Sequence, residues 1–206
     1  MDWEYNTDYM IDQGVLILGE NVIIEEDVKF TRFSDPDEKI IIGDNCVLKS
    51  GCIIYGRCKF SNNVMIGHNS IMMGGTIIGN NTYIGGLVNC EGDSIIGSHC
   101  GINAQSHITK FTQIGDYTFF GPMVCTTNDW DMRFKREGHG EGLIGPRIGK
   151  GVRVGNMATI LPGIVLGDNS MVGAGSIVTK DVEENIIVYG VPAKVHGKVP
   201  EADRLK

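Results

Sequence analysis

Six cysteines (Cys46, Cys52, Cys58, Cys90, Cys100 and Cys125) and five histidines (His68, His99, His107, His139 and His196) are the side chains of this sequence that invite a metal or disulfide reading. A disulfide needs Cα atoms within about 7 Å of each other. A zinc site needs three or four ligands converging from suitable spacings. Whether either chemistry is open depends on the elements that hold these side chains, and the sequence is unusually explicit about those.

Counting by sixes from Leu18 reaches Leu18, Ile24, Phe30, Pro36, Ile42, Leu48 and onward to Phe120, and sixteen of these eighteen positions are large and apolar. The count resumes at Ile148, Val154, Ile160, Leu166, Val172 and Val178. The fourth residue after each is small or β-branched, from Val22, Val28, Ser34 and Ile40 at one end to Ser170, Ser176 and Val182 at the other. A period of six predicts a short strand with one large and one smaller inward residue, then a corner, which is the repeat of a parallel β-helix. Gly follows the large residue in half of the hexapeptides, among them Gly43, Gly67, Gly79 and Gly97. Tight bends or close backbone approach would use it, which accounts for a total of 29 glycines in 206 residues.

This pattern resembles the hexapeptide-repeat acyltransferases, in which three hexapeptides close one triangular coil of a left-handed β-helix. The resemblance implies an all-β fold of about eight coils over 18–182, with residues eighteen apart stacked about 4.8 Å from each other. Residues 1–17, with Trp3, Tyr5, Tyr9 and Met10, are expected to cap the first coil. Residues 183–206 are expected to fold back over the last coil and end in a polar tail.

In that lattice Cys46, Cys52 and Cys58 lie on three different sides, and Cys46 and Cys100 are three coils apart, roughly 14 Å by strand spacing. Reduced, buried thiols are therefore expected. No two histidines are eighteen apart. The γ-class carbonic anhydrases, which share the fold, bind zinc through three histidines, two of them five apart. His99 and His107 are eight apart, so no metal is expected.

A net charge of −7 and a pI near 5.2 argue against nucleic-acid binding. The acidic start, Met1 to Tyr5, lacks a basic region followed by an apolar stretch. No apolar run reaches about 18 residues, so the expected location is cytoplasmic.

The repeat lapses between Val124 and Ile148, and a solenoid can hold residues 126–147 only as an extruded loop, which tends to gather on the binding face. The segment Gly-Pro-Met-Val-Cys-Thr-Thr-Asn-Asp (121–129) resembles the entry to the active site of sugar acetyltransferases. Residues 148–182 are similar to their acetyl-CoA-binding coils, and Gly-Val-Pro-Ala-Lys (190–194) to their C-terminal signature. Galactoside and maltose O-acetyltransferases place a histidine base in a Thr-Gly-His-Pro motif here, and that histidine falls on Asp129. The Thr-Asn-Asp form resembles N-acetyltransferases of nucleotide-linked amino sugars.

The resemblance implies acetyl transfer from acetyl-CoA to a sugar, with the amino group of a nucleotide-linked amino sugar favoured over a hydroxyl. A catalytically silent assembly subunit is the remaining alternative. Asp129 would accept the proton or hold the amine, Asn128 would bind substrate, and His139 would be a substitute base. Asn103, Gln105, His107 and Trp130 would contact the sugar. Main-chain groups at Ala158, Gly173 and Gly175 would meet the pantetheine arm, and Lys180 and Lys194 its phosphates. The family is generally trimeric, with active sites between subunits, so a homotrimer is expected.

Overall fold

The computed structural model describes residues 7–31 and 38–205. Three parallel sheets form the sides of a prism, with eight, ten and eight strands among the described residues. The chain visits them in rotation: Leu16–Leu18 opens the first sheet, Ile23–Ile24 the second and Lys29–Thr31 the third. From the second coil to the sixth each turn consumes eighteen residues, so Ile42 stacks under Phe60 and Leu48 under Ile66. The predicted inward residues make the core: Leu48, Ile54, Ile66, Ile78, Ile84, Ile102 and Phe120 are fully buried.

The first coil departs from the expected spacing. Leu18 stacks on Ile42, and Ile23 on Val47, 24 residues apart. One hexapeptide is therefore left out of the prism. Ser34 and Pro36, which the count of sixes placed inside, lie outside the described residues, as do Trp3, Tyr5 and Lys206. Eight coils still result, because Thr126, expected in the loop, is fully buried at a large inward position in the strand Cys125–Thr126.

Polar side chains at the smaller inward positions have a common task. Several donate to a corner carbonyl of the next coil, fifteen residues on: Ser70 to Gly85 at 2.8 Å, Thr82 to Gly97 at 2.8 Å and Thr118 to the shifted equivalent, Gly149, at 3.0 Å. Cys52 and Cys100 do the same through sulfur, to Gly67 at 3.0 Å and Gly115 at 3.2 Å. The thiol thus stands in for a hydroxyl as a weak donor in an apolar interior. Six free thiols result, five of them buried.

Burial pushes the Cys58 thiol up to about 12 and Cys100 to about 11. An unfolded thiol ionises from about pH 9 while these two remain protonated. Their contribution to stability is complete below pH 9 and is lost as pH rises towards 11–12. Denaturant unfolding at pH 10.5 should therefore show about 2 kcal/mol less stability from Cys58 alone than at pH 8. An unchanged midpoint would refute this.

The glycine that follows a large inward residue serves close approach. A Cβ on Gly85 would stand 2.5 Å from the Ala104 nitrogen of the next coil, and one on Gly155 2.5 Å from that of Ala174. The left-handed corner residue is instead two positions further on, asparagine at 45, 63, 69, 81 and 169.

At the open ends, Met10 of the helix Thr7–Asp12 is 1% exposed and closes the first coil, whereas Tyr9 is half exposed. After the eighth coil, Ile186–Gly190 pairs parallel to Met171–Val172 and turns back antiparallel into Ala193–Lys198. The tail then docks on the prism: the Leu205 N–H donates to the Asn169 side chain at 2.9 Å. No described helix is long and apolar enough to cross a membrane.

Candidate functional site

The sixth coil is where the prism opens. Its last strand, Cys125–Thr126, leads into residues 127–146 before Arg147–Ile148 resumes the first sheet, so the excursion is one residue shorter at each end than the sequence suggested. Its base is tied down. The Thr127 N–H donates to the Ile160 carbonyl at 3.0 Å, and the Ile144 N–H to the Asn128 carbonyl at 2.8 Å. Thr126 anchors the exit from within, its hydroxyl accepting the Thr109 N–H at 2.8 Å and lying 2.9 Å from the Thr109 hydroxyl.

The excursion folds back along the edge where the third sheet turns into the first and encloses a cleft of about 530 Å³. Met73, Asn89, Glu91 and Lys110 line it from the coils, and Asn128, Asp129, His139, Gly140 and Leu143 from the excursion. Three sequence candidates meet there. Asn128 donates its amide to the Lys110 carbonyl at 3.3 Å. One carboxylate oxygen of Asp129 accepts the N–H groups of Asp131 at 3.0 Å and Met132 at 2.8 Å, closing a turn. His139 is exposed and lies edge-on to Phe134.

The other expected sugar contacts are dispersed. Asn103 and Gln105 occupy the corner between the second and third sheets, away from the cleft. The Asn103 amide is spent on the Phe120 carbonyl at 2.8 Å, and Gln105 is an exposed left-handed corner residue. Trp130 is 55% exposed and outside the cleft lining. His107 projects from the third sheet, with Nε2 2.8 Å from Oε1 of Glu91.

Glu91, Lys110 and Asn89 escaped the sequence reading, although a signal was present. The outward positions of the third sheet run Ile53, Ile71, Asn89, His107, Cys125, Thr159, Ile177. Three polar or reactive side chains interrupt β-branched rungs at the coils the excursion covers. Asn89 keeps its side-chain oxygen buried with no protein partner, which an approaching donor would satisfy. Burial, and then the Glu91 carboxylate, push the Cys125 thiol up, so it stays protonated. No group of metal-ligand type is found among the described residues.

A second cleft, of about 320 Å³, brings Lys180 and Lys194 together with Asp181 and Pro192. Lys180 lies just past the strand Ile177–Val178, on the same edge of the prism as Glu91 and Asn128, two coils beyond the latter. The expected main-chain donors fare differently. Ala158 is fully buried, its N–H directed at the Gly155 carbonyl at 3.3 Å and its carbonyl accepting from Cys125 at 2.9 Å. The N–H groups of Gly173 and Gly175 are taken by the Val188 and Asn156 carbonyls, both at 2.8 Å. These three N–H groups are thus engaged within the protein and are not free donors for a pantetheine arm. A Cβ added to Gly175 would meet nothing within 4 Å, which leaves that approach open.

Comparison with known proteins gives two family matches. Residues 145–180 match the bacterial transferase hexapeptide (six repeats), and residues 40–56 and 62–86 the hexapeptide repeat of succinyl-transferase. Galactoside O-acetyltransferase of Escherichia coli is 37% identical over 93 residues, covering 44% of this chain and 46% of that protein. The bifunctional protein GlmU of Methanococcus vannielii is 30% identical over 179 residues, 87% of this chain and 40% of that protein. The chain thus spans about half the length, or less, of these curated relatives. Among solved structures, the Francisella novicida UDP-N-acetylglucosamine acyltransferase superposes with a TM-score of 0.65 at 16% identity, covering 89% of this chain and 69% of that one. At that identity the likeness is one of fold.

Proposed function

The chain belongs to the left-handed β-helix, hexapeptide-repeat acyltransferases, and from that premise we propose that it transfers an acetyl group from acetyl-CoA to a saccharide in the cleft beneath residues 127–146. The observation that carries this reading is the shared edge. The cleft with Asn128 and the cleft with Lys180 and Lys194 lie on the same edge of the prism, two coils apart. At about 4.8 Å per coil that is roughly 10 Å, within the reach of a pantetheine arm whose phosphates rest on the lysines. A homotrimer is the proposed assembly, supported by the exposed Ile77, Ile95 and Val165 on the outer face of the first sheet.

The Thr-Asn-Asp motif supports an amino-sugar acceptor, with Asp129 receiving or orienting the amine. A second reading, acetylation of a hydroxyl, is favoured by one observation: an oxygen of Asp129 is already engaged with two N–H groups of its own loop. Thiol release from acetyl-CoA, measured with galactosides and with UDP- and dTDP-linked amino sugars, separates the two. Turnover with either class supports the transferase, and the class identifies the acceptor. The absence of acetyl-CoA binding by calorimetry would refute it. Lys180→Ala and Lys194→Ala should each raise the KM for acetyl-CoA about 5- to 20-fold, typical of a lost charge-assisted contact, with kcat within twofold. An unchanged KM in both would remove the lysines from the site.

A further inference from the structure

We propose that the apex of the excursion, residues 130–136, docks the protein on an anionic lipid surface. The proposal goes beyond the acetyltransferase reading and is tested without acetyl-CoA, so the two can fail separately.

The stretch Trp130-Asp131-Met132-Arg133-Phe134-Lys135-Arg136 alternates large apolar and charged side chains up to Lys135, and every residue in it is exposed. Met132 at 72% and Phe134 at 66% are among the most exposed large apolar side chains of the described residues, and Trp130 stands at 55%. A soluble surface seldom gathers such residues in one place without a binding role. Tight turns hold them outward. The Asp129 carboxylate accepts the Asp131 and Met132 N–H groups, the Arg136 N–H donates to the Arg133 carbonyl at 3.0 Å, and the His139 N–H to the Arg136 carbonyl at 3.1 Å. Met132 and Lys135 take φ values of 49° and 54°, a left-handed conformation that bulky residues adopt rarely. Neither backbone preference nor burial within the chain favours these side chains at these positions, which leaves contact with something outside it.

Charge selects the kind of contact. The net charge is −7, yet Arg133, Lys135 and Arg136 fall within five residues, a density of Lys and Arg found nowhere else in the sequence. Asp131 and Glu137 bound this run, and Asp131 pairs with Arg133 at 2.8 Å. Lys135 and Arg136 have no carboxylate partner among the described residues. The Lys135 ammonium lies 5.4 Å from the centre of the Phe134 ring. A protein partner would have to bury both cations against carboxylates of its own. A headgroup layer instead takes apolar tips at one depth while long cationic side chains snorkel to the phosphates at another. Trp130 at the flank suits the same interface, and peripheral contact of this kind requires no spanning helix. Phe134 is edge-on to His139, which lines the cleft, so a seated apex brings the cleft to the lipid surface.

The test uses the full chain and vesicles of phosphatidylcholine, with or without about one-third phosphatidylglycerol. The sequence has two tryptophans, so Trp3→Phe leaves Trp130 as the reporter. The protein should float with the anionic vesicles and not with phosphatidylcholine alone, and high salt should weaken the binding. Trp130 emission should shift to the blue and be quenched by brominated acyl chains. Lys135→Gln combined with Arg136→Gln should lower the affinity about 30-fold, at roughly fivefold per cation. Met132→Ser should lower it about fivefold. Both variants should melt as the wild type does, since the substituted side chains are exposed. No flotation with anionic vesicles at low salt, or variants that float as well as the wild type, overturns the proposal. It is equally overturned if Trp130 is shielded from iodide in the vesicle-free protein and the double variant breaks an assembly apart, because the apex then joins copies of this chain.

Discussion

Replacing residues 129–143 with Asn-Gly is expected to reduce acetyl transfer at least about 10²-fold, through lost positioning, while leaving the prism folded. The Ile144 N–H already donates to the Asn128 carbonyl at 2.8 Å, which is the hydrogen bond of a two-residue turn. Asn-Gly is suited to that connection, so the shortened chain closes without strain. Little packing is lost, because Trp130, Met132 and Phe134 are 55%, 72% and 66% exposed. What disappears is one wall of the cleft, with Asp129, His139, Gly140 and Leu143. The measurement is kcat/KM for the acceptor beside a thermal melt. Transfer within threefold of wild type at an unchanged melting temperature would place the acceptor elsewhere on the molecule.

Phe120→Ala is expected to cost about 3–5 kcal/mol, the usual range for deleting a fully buried phenylalanine. Phe120 is among the largest fully buried side chains and stacks between Ile102 and Val154 on the inner face of the second sheet. The strands on either side are held by their own ladders, so the site cannot collapse to fill the cavity. For a chain of this length the melting temperature should fall by roughly 6–20 °C. Phe119, the residue before it, is the internal control. It faces outward at 48% exposure, so Phe119→Ala should move the melt by only a degree or two, as surface substitutions do. Equal effects at 119 and 120 would mean that the strand register is wrong.

The two expectations depend on different kinds of information. That Phe120 is inside and Phe119 outside was legible from the six-residue period. Every coil repeats the same backbone conformation, and a side chain's direction is a local property of that conformation. The same holds for Leu48, Ile66 and Ile102, and for Cys52 and Cys100 at the smaller inward positions, all buried as their spacing implied. The excursion was legible as well, because it is the place where the period lapses.

The eighteen-residue stacking implied by the resemblance holds from Ile42 to Thr126, but the 24-residue spacing of the first coil was not legible, and the reason is arithmetical as much as physical. Adding one hexapeptide to a coil shifts the next coil by a full repeat and leaves the inward phase intact. A count of sixes therefore cannot tell a coil of eighteen residues from one of 24. It counted one hexapeptide too many in the first coil and left Thr126 out, and reached eight coils because the two differences cancel. The cleft belongs to the same category. Glu91 and Lys110 come from two successive coils and Asn128 and His139 from the excursion, and the contact between Glu91 and His107 joins neighbouring coils. Period and composition determine the prism and the direction of each side chain. The number of residues each turn consumes, settled only when the strands pair, decides which side chains meet at the cleft.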